Sequence, residues 1–148
     1  MCNLEPPAFE DAASLFSLAT EYLEAAEILI QAPAIKVNVS LVIYFLLGHA
    51  GELFLKSFLF KYEVSLDDLK FKLGHDLAKL IRRAQKLNLS KSVSFTHLRA
   101  LSKIYAPKET EYRQLVVTNF PQRELLLTEV RALGREVFNH VGQFTSGA

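Results

Sequence analysis

Cysteine is nearly absent: the only one is Cys2, so the chain can form no disulfide within itself, and a reducing compartment is its expected home. An export signal is missing too, because the opening MCNLEPPAFED has neither a basic region nor an apolar core, which makes the cytoplasm the default location. No glycine-rich phosphate loop appears, and no Ser, His and Asp set stands out by spacing. His49, His75, His97 and His140 lack the i, i+4 pairing of a helical metal site and have no cysteine beside them, so no metal is expected, and no cofactor is signalled, although the eleven Phe leave room for a lipid or cofactor pocket. Internal repeats, low-complexity tracts and domain-splitting linkers are absent, and 148 residues suit one domain burying about two-thirds of its unfolded surface. A net charge of +1 by itself selects neither nucleic acid nor membrane.

Apolar residues are abundant, at half of the chain, and they concentrate in SLVIYFLLGHAGELFLKSFLFK, from Ser40 to Lys61. A helix apolar on almost every side is either a membrane span or the centre of a bundle. Its unbroken apolar run covers only Leu41 to Leu47, short of the ~20 residues a bilayer requires, and Gly48, His49, Gly51, Glu52 and Lys56 follow. At ~100° per residue His49, Glu52 and Lys56 share one narrow face, on a stripe that Asn38 begins and Glu63 ends. The segment therefore reads as a bundle centre with one polar seam. Gly48 and Gly51, each about 1 kcal/mol worse than Ala in a helix, suggest close approach of another backbone.

Around this centre the pattern predicts four more helices. The first spans Phe9 to Gln31, with Leu15, Leu18, Tyr22, Ala25 and Leu29 inward, and the central one runs from Val37 to Tyr62. Gly74-His75-Asp76-Leu77 opens the third, to Leu87, with Asp76 suited to a helix N-terminus; Leu77, Leu80, Ile81, Ala84 and Leu87 face in. The fourth covers Ser92 to Tyr105, capped within Ser90 to Ser94. Residues 108–120 lack helical period and favour extended backbone, after which Pro121 starts a last helix to Phe144, with Leu126, Val130, Leu133, Val137 and Val141 inward. The tail from Thr145 is expected to be disordered. The fold class is an all-α, single-domain bundle.

Charge is unevenly placed. Residues 1–35 hold Glu5, Glu10, Asp11, Glu21, Glu24 and Glu27 without a Lys or Arg. Between Lys70 and Lys91 seven basic residues face Asp76 alone. Lys79, Arg82, Arg83 and Lys86 form an outward face that fits either a nucleic-acid backbone or an ordinary solvated helix, and no aromatic interleaves with them. His49, Glu52 and Lys56 fit either a pocket lining or a structural network, pairing with one another or with His75 and Asp76.

Three features taken together carry a family resemblance. Gly48-His49-Ala50-Gly51-Glu52-Leu53-Phe54-Leu55-Lys56 on a buried helix, Gly74-His75-Asp76-Leu77 opening the next, and Tyr112-Arg113 before a final amphipathic helix resemble the HEPN-like superfamily of prokaryotic helical domains, over residues 9–142. The resemblance implies a bundle of four or five helices that commonly dimerises, with a role in regulation or defence. Some members are metal-independent ribonucleases of toxin–antitoxin or phage-defence systems, some pair with nucleotidyltransferases, and others have no demonstrated catalysis. Its ribonuclease members carry Arg, four to six residues, then His; Arg135 and His140 match with four between. The family prefers Asn, Asp or His directly after that Arg, whereas this chain has Glu136, whose negative charge opposes phosphate. The implied chemistry is Arg135 on a phosphate and His140 moving protons at the 2′-hydroxyl and leaving oxygen. Five helical steps leave the two side chains ~140° apart, so convergence requires a two-fold axis or a break near Gly142. Expected partners are a second copy, RNA or a nucleotide, or another protein such as an antitoxin or nucleotidyltransferase; the alternative function is a non-catalytic interaction module.

Overall fold

The computed structural model describes residues 11–32, 40–105 and 120–142. They form α1 (Ala12–Gln31), α2 (Ser40–Lys61), a π-helical turn (Asp68–Leu73), α3 (Leu77–Lys86), α4 (Thr96–Tyr105) and α5 (Arg123–Val141), with no strand among them. The result is an all-α bundle with α2 at its centre, packed by α1, α3, α4 and α5. The expected extended segment at 108–119, the polar position Asn38 and the tail from Thr145 lie outside the described residues.

Although α2 is long and apolar enough to cross a membrane by length and composition, two-thirds of it is buried inside the bundle. Ile43, Leu47, Leu55, Phe58 and Leu59 have no exposed surface. Burying each such side chain contributes about 1.5–3 kcal/mol, which makes α2 the main source of core energy. Its polar residues survive only where partners exist. Ser57 donates to the Ala12 carbonyl at 2.6 Å, and the Tyr44 hydroxyl donates to the Pro121 carbonyl, tying α2 to both terminal helices.

Asp11 caps α1 by accepting the Ser14 N–H at 2.7 Å. The buried face of α1 differs from the expected stripe: Ala12, Leu15, Ala19, Leu23 and Ala26 are inside, whereas Leu18 is 41% exposed. The alanines at seven-residue intervals let α1 approach α2 closely, and hydropathy ranked the larger Leu18 above them. At Gly51 the close neighbour is also different from expectation. A Cβ there would meet Leu98 Cδ2 of α4 at 2.9 Å, so a side chain rather than a backbone fills the notch.

Asp76 caps α3, accepting the Lys79 N–H at 3.1 Å. α2 and α3 both end with a left-handed residue, Glu63 and Asn88, each at φ 68°. In both, the following residue bonds back five positions, Val64 to Leu59 and Leu89 to Ala84, at 3.0 Å, and Val64 and Leu89 then plug into the core. α4 begins at Thr96, four residues later than expected, because Phe95 is buried in the link and the cap comes from elsewhere in the fold. α5 starts at Arg123, two residues beyond Pro121, and buries Leu126, Val130, Leu133, Val137 and Val141 as expected.

Candidate functional site

Four places carry polar chemistry. The first is the seam of α2. Glu52, 1% exposed, accepts from Lys56 Nζ at 2.8 Å and from His75 Nδ1 at 3.0 Å, and His49 Nδ1 lies 3.5 Å away. Burial pushes the Glu52 carboxyl up, but the hydrogen bond from His49 and the charge and hydrogen bond of Lys56, with His75, override it and hold the group at about 2. The carboxylate therefore stays ionised and acts as a tie between α2 and the turn ahead of α3. Tyr22 stands edge-on to His49 at 4.5 Å, closing the seam from α1. Asp76, expected in this network, is instead committed to capping α3.

The second place is not among those the motifs and spacings of the sequence point to. Glu129 of α5, 5% exposed, accepts the backbone N–H groups of His97 and Leu98 and the Ser94 hydroxyl at 2.9–3.1 Å, together with His97 Nδ1. A carboxylate from a distant helix thus caps α4, satisfying orphan donors and its positive dipole end. One signal existed. Glu129 lies three residues after Leu126 and four before Leu133, on the buried face of α5.

Arg135 and His140 form the third place, and one protomer does not bring them together. α5 is unbroken from Arg123 to Val141, so the two remain ~140° apart. His140 is engaged on both ring nitrogens, with Nε2 3.3 Å from Glu136 Oε1 and Nδ1 2.7 Å from the Tyr62 hydroxyl. If Nε2–H donates to the carboxylate, Nδ1 accepts from Tyr62. Phe58 packs edge-on against the ring at 5.0 Å. Arg135 is exposed and forms no ion pair among the described residues; it borders an open cleft of about 820 Å³ between α1 and α5. Phe16, Phe54 and Phe138 line that cleft. Gly134 lets the Phe54 ring reach the α5 backbone, since a Cβ there would stand 2.9 Å from it. On the rim Arg131 is bonded to Glu27 at 2.6 Å.

The fourth place is the outer face of α3. Lys79, Arg82, Arg83 and Lys86 are all exposed, and among the described residues none of them is paired with a carboxylate. Leu77, Leu80, Ile81 and Ala84 are buried, which turns the basic residues to solvent. Among the described residues no three His, Cys, Asp or Glu side chains are grouped to hold a metal ion. No family model, curated protein or solved structure matches this chain.

Proposed function

We propose that this protein is a HEPN-like, homodimeric helical module that binds RNA in prokaryotic regulation or defence, and that it holds RNA rather than cutting it. The observation that carries the reading is the unopposed cationic face of α3, where Lys79, Arg82, Arg83 and Lys86 present four charges and no carboxylate offsets them among the described residues. Four phosphate contacts make binding strongly salt-dependent. Against cleavage stand the two occupied nitrogens of His140 and the ~140° that separate it from Arg135 in an unbroken helix. A ribonuclease centre then requires Arg135 of one protomer and His140 of the other.

The test is metal-free incubation with RNA, comparing the wild type with Arg82→Ala/Arg83→Ala, Arg135→Ala and His140→Ala. Binding that weakens in the first variant, without cleavage by any, supports the proposal. Cleavage abolished by either of the last two assigns the ribonuclease role instead, and absence of RNA binding removes the reading. The phenylalanine-lined cleft favours a second reading, a docking module for a partner protein such as an antitoxin or nucleotidyltransferase.

A further inference from the structure

Phe71 is 82% exposed, the most of any large apolar side chain of the described residues, ahead of Ile28 at 68%. It stands in the π-helical turn, between Leu69 and Leu73, both buried, and between Lys70 and Lys72, both exposed. The turn holds itself in place: the Gly74 N–H returns to the Leu69 carbonyl at 2.9 Å, and the Ser65 hydroxyl oxygen accepts the Asp68 N–H at 3.1 Å. Burial of Leu69 and Leu73 forces the ring outward, because the residue midway between two inward positions points away from them. π-helical turns recur at functional sites.

The turn and the link that follows it are both held against α2. Leu69 lies with Leu53 and Lys56 around a small cavity, and His75, between turn and helix, bonds Glu52. The exposed ring and the cationic helix are thus carried by consecutive elements, joined through Gly74, His75 and Asp76. We propose that Phe71 is a stacking platform for a base of single-stranded RNA, with Lys70, Lys72 and the α3 face following its phosphates; this rests on the RNA-binding reading above. Seven cations between residues 70 and 91, of which Lys72 also pairs with Asp68 at 3.4 Å, select a polyanion. A lone ring selects an unstacked base over a duplex, whose bases offer no free face. A membrane surface requires more apolar area, and no second large apolar side chain is exposed among residues 63–103.

The experiment is fluorescence anisotropy of a labelled oligouridylate and of an RNA duplex of equal length, titrated with wild type, Phe71→Ala, Phe71→Trp and Arg82→Ala/Arg83→Ala. Phe71→Ala is expected to keep the wild-type melting temperature, to lose roughly 5- to 100-fold in single-strand affinity, and to keep the slope of affinity against salt. Phe71→Trp restores binding, and duplex affinity is the same with and without the ring. Unchanged single-strand binding in Phe71→Ala, or an equal loss on duplex, overturns the stacking role. If the arginine variant still weakens binding in that case, RNA recognition by α3 stands without stacking. If the wild type binds neither RNA, both readings fall.

Discussion

Two buried glutamates show two different ways of keeping a charge inside a small bundle. Glu52 sits among side chains: Lys56 one turn along its own helix, His49, and His75 from the next element. Glu129 sits mainly among backbone dipoles, accepting the N–H groups that open α4. Removing the first carboxylate strands the Lys56 cation; removing the second leaves backbone N–H groups, the Ser94 hydroxyl and the His97 ring at a helix end, where water is a workable substitute. The cation is the costlier orphan, since an unpaired buried charge costs more than an unpaired dipole.

That contrast sets the size of the expected effects. Glu52→Ala is expected to destabilise the fold by about 3–5 kcal/mol, seen as a lower midpoint in urea, because Lys56, 12% exposed in its side chain, loses its counter-charge. Adding Lys56→Met to a Glu52→Leu background should recover most of that loss, since an apolar pair of similar volume replaces a buried ion pair at little cost. A double variant as unstable as Glu52→Ala alone contradicts this account of the seam.

Acid offers a second handle. The Glu52 carboxyl lies at about 2 in the fold against 4.5 unfolded, so its contribution is complete above about 4.5 and disappears as pH falls through about 2. Roughly 3 kcal/mol of stability should vanish across that window in the wild type, and Glu52→Gln should lack this component. Parallel melting-temperature profiles for the two proteins between pH 5 and 2 contradict the assignment.

Glu129→Ala should cost less, about 2–3 kcal/mol, and its loss should be local. Hydrogen exchange should quicken first at His97 and Leu98, ahead of the rest of the core. Uniform exchange throughout the bundle contradicts a capping role. The smallest effect belongs to Ser94→Ala, about 1 kcal/mol, because it removes one of several donors to the same carboxylate while the two backbone bonds remain. A loss as large as that of Glu129→Ala makes the hydroxyl, and not the α4 dipole, the main support of the charge.

The two glutamates also differ in how plainly the chain announces them. Glu52 and Lys56 are four residues apart on one helix, so their meeting follows from helical pitch and from nothing else. Glu129 and His97 are 32 residues apart, and only the packing of α5 against α4 makes the carboxylate the cap of a helix it does not belong to. Asp76 divides the same way: its place before Leu77 is a local signal for a cap, and its expected share in the Glu52 network depended on a direction no spacing supplies. On α1, alanine spacing marked a seam that hydropathy alone undervalued, because close approach is decided by small volume as much as by apolar character. The exposure of Phe71 follows only from the turn around it, which places Leu69 and Leu73 inside.

Periodicity along the chain determined that residues 40–61 form an interior helix, that the amphipathic helices α1, α3, α4 and α5 of the described residues surround it, and that the cations of α3 face out, because each follows from the ~100° step of a single helix. The cap of α4, the engagement of both His140 nitrogens and the exposure of Phe71 were decided only by tertiary structure. Each depends on which faces of separate helices meet, and that choice is made by close packing of side chains far apart in the chain.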